Sequence, residues 1–430
     1  MSAEEKFDAI VIGAGPAGLA CAYALAREGK EVVVLERGSS AGEKNLTGGR
    51  MYAHALERLE PGLCAEAAAA GALERRVTRE QIMCLSDNGG MTVDFAETTP
   101  DKEAQSWTVL HSRFNAWFAS KVEEAGAVMA CGVRVDSLLK KNGKVVGVHA
   151  GDDTLLADVV IAADGVNSLM AADAGLTPSL DAHAVGVGIK EVIELPESVI
   201  EDRFQIGSEG GAARVVLGCT GGIPGGGAIY TNRNSVSLVC VFNPAHAAEQ
   251  DKRLPDLFQS FKMHPAVRPL LEGGTTVEYG GHLVMENGWR NVMQKPWCDG
   301  LLVAGEAAGY VINTGLIIRG IDLAILSGTA AAKAVLSGST GEALGQEYQR
   351  QLEACRLNDA MRAAQKWPDF MASPRLFSAY PDMGVDMMRQ LFLVDDGAQP
   401  LKKRLLGCVK NSRAGIMNML GDAWRAYKAL

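Results

Sequence analysis

Apolar positions near the N-terminus fall into two successive patterns. Phe7 to Ile12 is a β-branched apolar run that reads as a buried strand, and Gly18 to Glu28, rich in alanine and leucine, reads as a helix closing at Gly29. Glu31 to Leu35 follows as a second β-branched strand. A strand, a helix and a strand within about 30 residues form a crossover unit, which lays the two strands parallel in one sheet and predicts a doubly wound α/β domain. Far downstream, Gly300 to Ala304 is another short apolar strand, and Ile318 to Val335 is an alanine-rich helix. Between these ends, Ala184 to Val192, Ala213 to Leu217 and Ser235 to Phe242 are short strands separated by Gly, Asn and Pro turns, the pattern of an antiparallel sheet. Beyond Gly341 the pattern is helical to the end.

Composition narrows the class. With 430 residues, 47% of them hydrophobic and 22% charged, the chain is globular rather than disordered or fibrous, and a prior of roughly 150 residues per domain gives two or three units. The 42 basic and 51 acidic residues leave a formal charge of −9, which argues against whole-surface affinity for nucleic acid. Nine cysteines lie scattered without one C-x-x-C pair, so no metal site or iron–sulfur cluster is expected and single thiols in a reducing cytoplasm are the reading. The acidic, polar start at Met1 to Phe7 lacks the features of a signal peptide. The uncharged stretch Val215 to Asn232 holds six glycines and a proline, which would break a membrane-spanning helix. A cytoplasmic location is expected, with peripheral contact on the inner face of the cell membrane left open.

Three motifs carry chemistry. Gly13-Ala14-Gly15-Pro16-Ala17-Gly18 joins the first strand to the first helix, and Glu36 stands eighteen residues after Gly18 at the end of the second strand. Glycines there permit a tight turn, close approach of a pyrophosphate and helix–strand packing, while the helix N-terminus attracts phosphate and Glu36 can accept from a ribose diol. Asp158 to Ser168 is a hydrophobic strand ending in Asp164-Gly165. Leu301 to Gly309 is another strand, ending in Gly305-Glu306, and Gly315, Arg319, Gly320 and Asp322 precede a helix.

In this order and spacing the three motifs resemble the glutathione-reductase-like flavoprotein superfamily, in its para-hydroxybenzoate-hydroxylase-like branch. The segment Lys44 to Tyr52 looks like the flavin-approaching loop of FixC-type proteins, relatives of electron-transfer-flavoprotein:quinone oxidoreductase and geranylgeranyl reductase. Similar stretches at Val77 to Glu80, Val185 to Val192, Gly225 to Asn232 and Ser373 to Pro381 extend the resemblance over essentially the whole chain. It implies a Rossmann-like FAD-binding domain (residues 1–80, 105–172 and 290–340), an inserted antiparallel-sheet substrate domain on the quinone side (81–104 and 173–289) and a helical C-terminal region (341–430). FAD contacts are implied for Gly13, Gly15, Pro16, Ala17, Gly18, Glu36, Arg37, Gly48, Gly49, Arg113, Val133, Asp164, Gly165, Gly305, Glu306, Gly315 and Ile317. The backbone donors of Gly315 and the following turn, which is expected to begin the next helix, would lie near the flavin N1 and C2 carbonyl, where a helix N-terminus stabilises the anionic reduced flavin. Where that family reads Gly-Asp this chain has Gly305-Glu306, a carboxylate one methylene longer, which bears on FAD affinity and flavin position. His54, His111 and His282 sit in no spacing that identifies a role, and no catalytic residue is assigned.

The resemblance further implies electron transfer from electron-transfer flavoprotein subunits, a ferredoxin-like iron–sulfur protein, or both, to a quinone. Residues 401–430 carry seven Lys/Arg against Asp422 alone, which reads as a docking surface for an acidic ferredoxin-like partner or anionic lipid, or simply as a solvated basic helix. Two alternatives stand beside this function: a stand-alone reductase or hydroxylase of a small or isoprenoid substrate, and a flavin-bearing relay subunit with no small substrate of its own. Halogenation is set aside because no Trp-x-Trp-x-Ile-Pro run occurs, and two-site disulfide reduction because no C-x-x-x-x-C accompanies the first domain.

Overall fold

The computed structural model describes residues 6–44, 49–96, 106–176, 182–394, 397 and 399–430. The strand Lys6–Ile12 lies at the centre of an eight-stranded sheet, parallel to Val32–Glu36 on one side and Asp153–Ala162 on the other. Val128–Cys131 and Leu301–Val303 extend the parallel set outward. All five residues of Val32–Glu36 are buried, the continuous apolar reading of a strand covered on both faces.

The first helix runs from Pro16 to Arg27, two residues earlier than its alanine-rich stretch indicates, because proline's fixed φ suits the first helical position. Gly29, with φ of +76°, closes it in the left-handed conformation. Helix Ile321–Leu336 packs across it so closely that a Cβ on Gly328 would stand 2.0 Å from the Ala17 carbonyl oxygen. That second helix begins three residues later than expected. Ile318–Arg319 pairs instead with Ile312–Asn313 in a two-stranded ribbon.

The second sheet has nine strands, ordered Thr275–Met285, Val185–Glu194, Ser235–Phe242, Gly225–Thr231, Gly210–Leu217, Arg76–Ser86, Ser106–Thr108 and Arg50–Tyr52, with Gly89–Ala96 beside Arg76–Ser86. Gly210–Leu217 runs parallel to Arg76–Ser86, so the sheet is mixed rather than purely antiparallel. Arg76–Ser86 also runs across the boundary drawn at residue 80, and Arg50–Tyr52 joins this sheet although it precedes that boundary. Period-two alternation separates the faces: Leu238, Cys240 and Phe242 pack with Phe258 and Phe261 in a core behind the sheet, and Val239 and Val241 face the first sheet.

Beyond Gly341 helices follow one another, and among the described residues none is long and apolar enough to cross a membrane. Ala379–Phe392, Leu401–Asn411 and Ile416–Ala429 form the final unit. Asp422, the lone acid of the basic C-terminal segment, is buried and accepts two bonds from Arg375, at 2.7 and 2.8 Å, and one from the Tyr380 hydroxyl at 2.6 Å. The Arg375 bonds hold its carboxyl below the usual range. Arg425 also pairs with Asp422 at 3.5 Å and Arg413 pairs with Asp382, while Lys402, Lys403, Lys410 and Lys428 are exposed.

Candidate functional site

The C-terminal ends of the parallel strands and the front of the second sheet enclose one deep cleft. At its floor the turn after Lys6–Ile12 is so tight that a Cβ on Gly13 would lie 2.5 Å from the Ala163 carbonyl oxygen, and one on Gly18 would lie 2.0 Å from the Gly13 carbonyl oxygen. Glu36 receives the Ala14 N–H at 2.8 Å on one oxygen and the Gly38 N–H at 2.7 Å on the other, which fixes the carboxylate beside the turn. Val133 donates its N–H to the Glu36 carbonyl at 2.9 Å, so it borders the same strand end. Asp164 accepts from the Met170 N–H at 3.0 Å through one oxygen, while the other is buried with no partner. Burial raises its pKa, with Arg37 among the opposing influences.

Gly15, Pro16, Ala17, Gly49, Gly165, Gly305, Glu306 and Gly315 line the cleft together. Gly13, Glu36, Arg37, Val133 and Asp164 follow or end the parallel strands beside it, and Gly18 lies in the first turn of the helix Pro16–Arg27. Gly48 lies outside the described residues. Ile317 sits in the half-exposed loop of the ribbon, and Arg113, half exposed, pairs with the buried Glu74 at 3.0 Å. Gly315 belongs to that ribbon loop and not to the start of the following helix, and its N–H is taken by Asn313 Oδ1 at 2.8 Å.

Opposite the glycine turns, Val215, Leu217, Val239, Val241 and Val284 make an apolar wall, interrupted by Gly225 to Gly227. Tyr230 stands so near Gly49 that a Cβ there would be 2.2 Å from its ring. Polar groups gather at the edges. Arg50 is anchored to Glu80 by a two-point ion pair, with 2.9 Å between Nη1 and Oε2. His111 is buried with Nδ1 unpartnered, and burial followed by the charge of Lys190 lowers its pKa to about 3, so the ring is neutral at physiological pH.

Two carboxyl groups meet where the sheets adjoin. Glu306, in the single turn Gly305–Ala308, accepts the Met285 N–H at 3.0 Å, and Glu286 accepts from Asn313 Nδ2 at 2.8 Å. Burial pushes Glu306 up to about 7, against the Met285 N–H. Burial pushes Glu286 up to about 7 as well, against the Asn313 bond and with help from the Glu306 charge. Sequence reasoning missed Glu286 and Asn313, since no local spacing links residues 286, 306 and 313. Arg50 and His111 were within reach of it only as a quoted loop residue and an unassigned histidine.

Comparison with known proteins agrees with this geometry. The family of the FAD binding domain matches residues 6–238, and the ETF-QO/FixC family C-terminal domain matches residues 367–430. Protein FixC of Salmonella typhi is 46% identical over 435 residues, spanning 99% of this chain and 100% of that one. A probable electron transfer flavoprotein-quinone oxidoreductase, YdiS of Escherichia coli, is 44% identical over 436 residues at the same coverage. A geranylgeranyl bacteriochlorophyll reductase-like protein from Thermoplasma acidophilum shares the fold, with a TM-score of 0.71 at 18% identity, covering 97% of this chain and 99% of its own. Fold, glycine cradle and matches together define an FAD-dependent oxidoreductase of the electron-transfer class. The partnerless buried oxygen of Asp164 and the helix N-terminus that follows the Gly13 to Gly15 turn fit a bound dinucleotide. The chain belongs to the ETF-QO/FixC family.

Proposed function

We propose that this chain takes electrons from an electron-transfer flavoprotein, a ferredoxin-like partner, or both, and passes them to a quinone. The apolar wall facing the FAD turns carries this reading: Val215, Val239, Val241 and Val284 with glycines between them suit a flat, uncharged ring. FAD supplies one- and two-electron exchange when bound. Gly13 to Gly18 and Glu36 would hold its ADP half, with Asp164, Gly165, Gly305 and Glu306 nearer the flavin end. The name of the Escherichia coli relative, with its quinone acceptor, supports the same assignment.

The C-terminal segment supplies a docking face. Lys402, Lys403, Lys410, Arg413, Arg425 and Lys428 are exposed, which suits an acidic ferredoxin-like partner. Met417, Leu420, Trp424 and Tyr427 form an exposed apolar stripe along Ile416–Ala429, which favours peripheral contact with the inner face of a membrane, where quinones reside. Anaerobic mixing of the holoprotein with reduced electron-transfer flavoprotein and a soluble quinone tests the function. Bleaching of the flavin by the partner and recovery with quinone is the expected result, and a bound flavin indifferent to both would overturn it. Retention of the protein on anionic liposomes, lost on Trp424→Glu substitution, checks the membrane face.

A further inference from the structure

Glu286 and Glu306 reach the cleft from opposite sheets. Glu286 directly follows the strand Thr275–Met285 of the second sheet, and Glu306 follows Leu301–Val303 of the first. The Met285 N–H to Glu306 bond, 3.0 Å long, ties the two sheets at this point and leaves the carboxyl groups as neighbours lining one cavity. Two carboxylates this close in a desolvated cleft cannot both ionise freely, so one keeps its proton. Each carboxyl accepts one neutral amide N–H, Glu306 from Met285 at 3.0 Å and Glu286 from Asn313 at 2.8 Å, so the donors alone do not divide them. What does is the charge of Glu306, which acts on Glu286 beside it in the same cavity. With Glu306 ionised, Glu286 keeps the proton.

Building on the quinone reading above, we infer that Glu286 is a catalytic residue that, in its neutral form, donates a hydrogen bond to a carbonyl oxygen of the bound quinone and surrenders that proton when the quinone is reduced. Quinol formation takes two electrons from the protein donor and two protons. Glu286 gives one, its O–H breaking as an O–H forms on the quinone oxygen, and solvent gives the second and reprotonates the carboxylate. Position beside the wall supports the assignment: Val284, two residues earlier near the end of the strand that Glu286 follows, lines the apolar surface. Of the other ionisable groups of the cleft, His111 is already neutral and Arg50 is tied to Glu80, whereas Glu306, itself pushed up to about 7, titrates with Glu286 as a pair, which is why the Glu306 variant belongs in the test. The raised pKa of about 7 at Glu286 sets the range in which its donor is lost.

Calorimetric titration of the oxidised, FAD-loaded protein with a short-chain quinone from pH 5.5 to 8.5 tests this without turnover. Affinity is expected to be constant at low pH and to fall about tenfold between pH 6 and pH 8, because a group with a pKa near 7 keeps about one part in ten of its proton at pH 8. Glu286→Gln, a permanent donor of the same shape, is expected to bind at the low-pH wild-type affinity throughout. Glu306→Gln removes the neighbouring charge and should move the break to lower pH, with the flavin spectrum reporting that each variant is loaded. A wild-type affinity independent of pH, or weak binding by Glu286→Gln at every pH, would overturn the role of Glu286 while leaving the quinone assignment standing. Absence of quinone binding in every form and at every pH would remove the quinone assignment and this role together.

Discussion

Two glycine-rich stretches face each other across the cleft, and they lack side chains for different reasons. At Gly13 and Gly18 the surrounding backbone comes within 2.5 and 2.0 Å of where a Cβ would stand, so the fold itself excludes one. Among Gly225 to Gly227 the outcome is divided. A Cβ on Gly225 would meet the Val241 carbonyl oxygen at 2.0 Å, and one on Gly227 would meet Cys219 Sγ at 2.8 Å, whereas one on Gly226 would find nothing nearer than the Val216 carbonyl at 3.7 Å. Gly226 is thus free of any packing demand and lines the cleft, which is the signature of room left for a ligand. The first stretch builds a cradle; the second sets aside a surface.

Substitutions separate these roles. Gly18→Ala should have the largest effect, because the methyl group displaces the turn that carries the dinucleotide. Purified protein is expected to hold less than about a tenth of the wild-type FAD, read from its visible absorbance, in keeping with steric conflict worth several kcal/mol at a closely packed backbone. Gly225→Ala should leave the cradle intact but strain the second sheet, lowering stability by about 1–3 kcal/mol in a denaturant titration. Asp422→Ala lies outside both stretches. It leaves Arg375 without its buried partner, a loss of about 3 kcal/mol reduced somewhat because Arg375 is partly open to solvent, and FAD content should not change.

The same pair has a pH signature. Its folded-state pKa is depressed, so the stabilisation is present above the ordinary carboxylate pKa and is lost as pH falls through the lower folded value. The wild-type C-terminal unit should therefore lose this stabilisation as pH falls through the carboxylate range, whereas Asp422→Asn, which lacks it at every pH, should be less stable near neutrality and show a weaker acid dependence, as followed by fluorescence of Trp424. Gly226→Ala should have the smallest effect on stability, within about 0.5 kcal/mol, since it adds a methyl group to open space on a strand.

Local chemistry explains how much was legible beforehand. The Gly13 to Gly18 turn, Glu36 and the strand ends at Asp164 and Gly305 announce themselves because each function rests on residues within one crossover unit. The pairing of Glu286 with Glu306 was hidden, because it arises where two sheets adjoin and neither neighbourhood predicts the other. The partner of Arg113, the buried Glu74, was not legible, because it lies 39 residues away in sequence. Asp422 stood as the one acid of a basic segment, and its role became visible only in the fold, where it is buried against Arg375 and Tyr380. Gly315 was placed at a helix start because the ribbon Ile312–Asn313 with Ile318–Arg319 is too short to show a strand pattern.

The division of labour between the two stretches is tested most directly by reducing the FAD-loaded protein under anaerobic conditions and timing its reoxidation by a soluble quinone, in the wild type and in Gly226→Val. Equal flavin content with reoxidation slowed about tenfold or more in the variant is predicted, since the added isopropyl group fills the acceptor surface and leaves the cradle untouched. Equal rates with equal flavin content would contradict the account, and would place the electron acceptor somewhere other than this wall.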